Sequence, residues 1–247
     1  KSRDKLSREE HIRMNNLAAA VYMNAQGIPF MQAGEEMLRT KPKENGGFDE
    51  NSYASSDEVN SLKWDTLNEE EYQNVYNYYK GLIAFRKAHP ALRMTNAEDV
   101  TANLTAVEGM EDNVLAFEMK GGANGDSANG MFFIFNANRE EKQVTLPEGN
   151  WDVYINGEKA GTEVLETISG TATIEPISAL ILVKGDGEAP DENDETIEVE
   201  PADTQNGESA PEAGGSIATV VVCVAAILLV AVVTAIVIVS KKKNKKK

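Results

Sequence analysis

"GIPFMQAGEEMLRT", residues 27–40, begins like the inside of a protein and ends like its surface. Ile28-Pro29-Phe30-Met31 is a short apolar run, followed at once by Gln32, Gly34 and the adjacent acids Glu35 and Glu36. The run reads as a buried strand, with Pro29 near its start, where a missing ladder donor matters least. Upstream, Ser7-Arg8-Glu9-Glu10 has the S-x-x-E form of a capping box. Met14, Leu17, Ala18 and Val21 then recur at helical spacing until Gln26-Gly27 stops the helix.

Downstream, residues 34–67 are polar and rich in Gly, Asn, Ser and Asp. Loops this long in a compact domain are usually functional or disordered. Asn68-Glu69-Glu70-Glu71 then caps a second helix, with Tyr72, Val75, Tyr76, Tyr79, Leu82, Ile83 and Arg86 along one side and Pro90 at its end. Helix, buried strand, long loop, helix is the rhythm of an α/β barrel or a doubly wound sheet. In a barrel the C-terminal ends of the strands open onto the active-site face, so a strand that turns polar before a long loop is expected to line a site. The simpler reading keeps Glu35 and Glu36 as solvated loop acids.

From about Asp99 the pattern changes. Residues 114–119, 131–135, 151–155 and 179–183 are short strand-like runs, separated by turn signals such as Gly121-Gly122, Asn124-Gly125 and Asn156-Gly157. Strands without intervening helices imply an antiparallel sandwich that closes its own core.

The net charge of -16 is unevenly placed. Residues 185–240 hold eleven Asp/Glu and no Lys or Arg, and six lysines follow between 241 and 247. An acidic chain without a basic stripe argues against nucleic acid as a partner. The stretch 186–215 has almost no large apolar residue and is expected to be a disordered acidic linker. Ile217 to Val239 is 23 residues without a charge, enough to cross a hydrocarbon core of about 30 Å. A transmembrane helix over 216–240 is therefore expected, with the lysine tail 241–247 cytoplasmic and the rest extracellular. The only Leu-Pro pair, Leu146-Pro147, lies far upstream of this run, so no L-P-x-T-G sorting signal precedes it. The single Cys223 permits no internal disulfide.

"QGIPFMQAGEEMLRTK" (26–41), "NSYASSDEVNSLKW" (51–64) and "YYKGLIAFRKAHPALR" (78–93) resemble the end of the catalytic barrel of type I pullulanases, in the α-amylase superfamily of glycoside hydrolases. "MFFIFNANREEKQVTLPEGNWDVYINGEKAGTEVL" (131–165) and "SGTATIEPISALILVKG" (169–185) are similar to that family's C-terminal β-sandwich. The likeness covers about residues 1–185. It implies that "DKLS…RMNNLAAA" is the seventh barrel helix and "IPFMQAGEE" the eighth strand. The expected order is therefore the end of a (β/α)8 barrel at 1–96, a sandwich at 97–185, then linker, span and tail.

The resemblance further implies retaining hydrolysis of α-1,6 bonds in pullulan, amylopectin or limit dextrins. An aspartate nucleophile, a glutamate acid and a stabilising aspartate come from barrel strands 4, 5 and 7, all expected upstream of Lys1. Asp4 matches the aspartate of the family's later D-K-L and is not one of them. The chain thus reads as the C-terminal part of a longer enzyme, inactive alone. In the family the loop after strand 8 helps form sugar subsites, which makes Asn51, Tyr53 and Asp57 the candidate substrate-binding residues. Loop solubility alone would also place Asn and Asp there. Glu35 is read as bracing the barrel end or as an ordinary structural hydrogen-bond partner.

Trp64 and Trp151 sit in settings that favour core packing over a sugar platform. His11 and His89 show no metal or triad pattern, and no zinc, P-loop or dinucleotide motif appears. No cofactor is therefore expected, with a calcium requirement left open. The competing readings are a related isoamylase, an amylase acting on α-1,4 bonds, and a non-catalytic glucan-binding surface protein.

Overall fold

The computed structural model describes residues 6–185, all within one compact unit. The acidic linker, the membrane span and the lysine tail expected from residue 186 onward lie outside them, as does Asp4. Among the described residues no helix is long and apolar enough to cross a membrane.

Helix α1 (Arg8–Asn24) starts as its sequence dictates. The Ser7 hydroxyl accepts from the Glu10 backbone N–H at 3.1 Å, and the Glu10 carboxylate accepts from the Ser7 N–H at 2.7 Å. After α2 (Asp57–Asn60), a single turn, comes α3 (Glu70–Ala88). Its N-cap is Glu69, whose side chain makes no capping bond. The buried stripe of α3 is Val75, Tyr78, Tyr79, Leu82, Phe85 and Arg86. The sequence reading placed Tyr76 and Ile83 on that side, but both are exposed. Apolar residues surround this helix, so a 3.6-residue period fits more than one rotation and the sheet selects the phase. Pro90 opens a 3-10 turn, and α4 (Ala97–Asn103) follows, capped by Asn96.

Eight strands follow among the described residues: β1 (Leu104–Ala106), β2 (Val114–Lys120), β3 (Gly130–Asn136), β4 (Lys142–Thr145), β5 (Trp151–Ile155), β6 (Glu166–Ile168), β7 (Thr171–Ile174) and β8 (Ser178–Lys184). Six form an antiparallel sheet in the order β1-β2-β3-β8-β5-β6, and β4 pairs with β7 in a second, small sheet. The long runs of β3 and β8 are buried on both faces, so they read as continuous apolar stretches rather than alternations. Phe132, Ile134, Leu180 and Leu182 share a core with Val144, Ala172 and Ile174 of the small sheet and with Leu146, which follows β4. Met131, Phe133, Phe135, Ile181 and Val183 pack instead with Ala19, Ala20 and Met23 of α1 and with the buried stripe of α3. A register shift between Val153 and Ile155 changes the phase of β5. Trp151 and Val153 therefore join the inter-sheet core, and Ile155 joins the core under the helices.

The run Ile28–Met31 departs from expectation. It forms no strand, and Ile28 and Phe30 are 97 % and 92 % exposed. A strand exists only through hydrogen bonds to a neighbour, and none of the described strands pairs with this segment.

Candidate functional site

The segment that follows α1 is fixed in place by charged side chains. Arg86, buried in α3, donates to the carbonyl oxygens of Met23 (2.7 Å), Ala25 (2.7 Å) and Gly27 (2.6 Å), satisfying the C-terminal end of α1. Burial, with Arg93 nearby, lowers the affinity of this guanidinium for its proton.

The two acids of the opening stretch are both occupied. Glu35 Oε1 accepts from the Gln32 N–H at 2.9 Å and Oε2 from the Tyr22 hydroxyl at 3.1 Å, while Glu36 accepts from the Gly34 N–H at 2.9 Å. Glu35 thus has the structural role that the sequence allowed. Burial, then the neighbouring Tyr79 and Glu35, pushes the Tyr22 phenol far up, so it stays a donor. Gly34 sits at φ 100°, and a Cβ there would lie 2.7 Å from Arg39 Cβ, so the turn requires glycine.

Beyond it, Arg39 spans the loop, donating to Ala33 O at 3.2 Å and to the Asn60 carbonyl. Pro42 and Phe48 form an isolated antiparallel bridge across Gly46-Gly47. Asp49 is the hub: it accepts from the Ser55 hydroxyl at 2.5 Å and the Asn51 N–H at 3.2 Å, with Lys43 at 4.0 Å. These donors, the Ser55 hydroxyl foremost, hold its carboxyl below the ordinary carboxylate value. Lys41 donates to Ser52 Oγ at 2.7 Å, and the Asn60 amide donates to Ser52 O at 2.6 Å and Ser55 O at 3.1 Å.

This frame carries the three candidates outward. Tyr53 is 89 % exposed on a 3-10 turn (Ser52–Ala54), Asn51 is its N-cap residue, and Asp57 opens α2. Asn51 and Asp57 are exposed, and no hydrogen bond joins any two of the three side chains. All three polar tips face solvent on a braced scaffold, suited to hydroxyl partners and ring stacking. Beside them a cavity of about 370 Å³ is lined by Asn15, Gln32, Glu35, Arg39, Lys41, Phe48 and Asp49, among others.

Sequence reasoning missed the bracing set of Lys41, Asp49, Ser52 and Asn60, because polar loop residues look alike until their partners are known. It also misplaced Trp64, which is 59 % exposed rather than packed. Trp151 is buried as expected, its indole N–H donating to Pro147 O at 2.9 Å. His89 has a partner that the sequence did not reveal, the buried Asp126 at 3.1 Å. Among the described residues no group of three or more His, Cys, Asp or Glu could hold a metal.

Residues 100–159 match the family model described as "Pullulanase, all-beta domain". The chain is 34 % identical over 131 residues to a pullulanase of Bacillus subtilis, covering 53 % of this chain and 17 % of the relative. It is 32 % identical over 136 residues to an isoamylase of a Flavobacterium species, covering 47 % and 17 %. A solved pullulanase from Bacillus acidopullulyticus superimposes with a TM-score of 0.69 at 37 % identity, covering 74 % of this chain and 22 % of that one. Pullulanase type I from Bacillus subtilis, solved in complex with maltose, gives a TM-score of 0.62 at 26 % identity, covering 73 % and 24 %. The chain therefore spans about a sixth of the curated relatives that it matches, and it is homologous there to pullulanases and isoamylases.

Proposed function

We propose that the protein is the C-terminal part of an α-glucan debranching hydrolase that cleaves α-1,6-glucosidic bonds in pullulan, amylopectin or limit dextrins with retention of configuration. One observation carries the reading. Ile28 and Phe30 lie almost fully exposed in an apolar segment, immediately before a turn braced by Glu35, Glu36 and Arg39. In a (β/α)8 barrel such a run is buried between two neighbouring strands and its polar end opens on the site face. The superposition on a pullulanase covers 74 % of the chain, more than residues 100–247 alone could supply, which supports including the helical part in the likeness.

Retaining hydrolysis requires two carboxyl groups about 5–5.5 Å apart on opposite faces of the scissile bond. Glu35 and Glu36 are committed to local donors, so in this reading the acids belong to barrel strands that precede α1. The role of the present chain is to hold the sugar: Tyr53 stacks on a pyranose face, and Asn51 and Asp57 pair with hydroxyls. The uncharged stretch 217–239 and the six lysines after it support anchoring at the cell membrane, with the enzyme outside and the tail in the cytoplasm.

The similarity to an isoamylase favours one alternative, a debranching enzyme of that kind. The product released from pullulan by the polypeptide together with the sequence encoded upstream of Lys1 is the test. Maltotriose is expected. Panose would redirect the reading to α-1,4 hydrolysis, untouched pullulan beside debranched amylopectin to the isoamylase type, and an upstream sequence lacking any of the three acids would sink the hydrolase.

A further inference from the structure

A second groove lies away from the loop that carries Tyr53. It has a volume of about 1070 Å³ and runs between α1, α3 and the turn 157–165. Asn16 lines it and is only 9 % exposed, with its Oδ1 buried and without any donor. A buried acceptor left unpaired is costly, and native proteins satisfy nearly all of them. Asn74 and Asn77, three residues apart on α3, line the same groove, and their carboxamides form no hydrogen bond among the described residues.

The charges around the groove cancel, which narrows what could lie there. Arg8 is paired with Glu71 at 2.7 Å, and Arg13 with Glu9 and Glu175, each at 3.2 Å. Lys80 and Lys159 also line the groove and are matched in number by Glu158 and Glu163, so neither an anion nor a cation finds a surplus of opposite charge. Between these balanced charges stand three carboxamides, neutral groups that each donate and accept. A sugar hydroxyl also does both, so a carboxamide matches a pair of neighbouring hydroxyls.

We propose that this groove binds a segment of α-glucan chain, with the carboxamides of Asn16, Asn74 and Asn77 as its hydroxyl partners. The proposal rests on the debranching reading for its choice of sugar. The groove holds a length of polymer beside the catalytic domain and raises the local concentration of branches, separately from the subsites near Tyr53.

The test is a titration of the 247-residue chain, in a detergent without a sugar headgroup, with maltoheptaose while side-chain carboxamide NMR signals are followed. Saturable shifts of Asn16, Asn74 and Asn77 are expected. The double variant N74A/N77A alters exposed positions, so it should keep the melting temperature and weaken that binding by at least about threefold. Saturable shifts confined to residues 51–57 would overturn the groove and leave the proposed function standing. No saturable shift anywhere, with water alone satisfying Asn16, would also overturn it; the pullulan assay then judges the hydrolase independently.

Discussion

The Arg86 guanidinium ends 2.6 Å from the carbonyl oxygen of Gly27, the residue from which the chain leaves α1 toward the loop. The same side chain serves Met23 and Ala25, so one charged fork closes a helix and aims the segment that follows. Replacing Arg86 by Ala should cost about 2–4 kcal/mol, because buried carbonyls lose charged donors and a cavity opens. Arg86→Lys should recover only part of this, since an ammonium cannot reproduce the planar fork. Urea unfolding of the two variants checks the order.

Gly81 marks the point where α3 touches the turn after β5. A Cβ there would lie 1.9 Å from Ala160 O and 2.3 Å from its carbonyl carbon. Alanine improves helix propensity by about 1 kcal/mol, but overpacking against backbone costs about 1–3 kcal/mol. Gly81→Ala should therefore lower the melting temperature, and a rise would contradict the packing described.

Asp126 is a buried carboxylate that accepts from the Ala91 N–H (3.1 Å), the Ala128 N–H (2.9 Å) and His89 Nδ1 (3.1 Å). Asp126→Asn keeps the shape but replaces one acceptor oxygen with a donor facing donors. A loss of about 1–3 kcal/mol is expected in thermal or urea unfolding.

The Asp49 hub titrates in a defined direction. Its folded carboxyl is depressed, chiefly by the Ser55 hydroxyl, so its contribution is complete at neutral pH and is lost as pH falls below about 4. Carboxyl NMR titration of Ser55→Ala should show the Asp49 midpoint move up toward its ordinary value. An unchanged midpoint would mean that Ser55 is not the group holding it down.

Among the described residues the side chains of Tyr53 and Asp57 form no hydrogen bond or ion pair, so Ala at either position should change stability by less than about 0.5 kcal/mol. In the enzyme with its catalytic acids, kcat/KM on pullulan should fall at least about threefold, as expected for a lost sugar contact. A smaller effect counts against these residues as subsite partners.

What the sequence disclosed was what depends on near neighbours. The Ser7–Glu10 capping box is a four-residue pattern, and it formed as written. Four strands stand out by their apolar residues, whereas β4 and β7 bury little more than Val144, Ala172 and Ile174 among polar residues and leave no such pattern. The rotation of α3, the three carbonyls gathered by Arg86, and the Asp126–His89 contact are all settled by residues far apart in the chain. Of the candidate site, the exposed positions Asn51, Tyr53 and Asp57 were named from resemblance, whereas the bracing by Lys41, Asp49 and Asn60 needed coordinates.

The two-sided burial of β3 and β8 has a practical consequence for anyone cutting this chain into pieces. A fragment beginning near residue 97 would keep the small sheet but lose α1 and α3, leaving Met131, Phe133, Phe135, Ile181 and Val183 as a greasy exposed wall. Such walls drive self-association. The helices are thus a lid that keeps the sheet in solution, and expression trials should retain Ser7 through Lys184 as one piece.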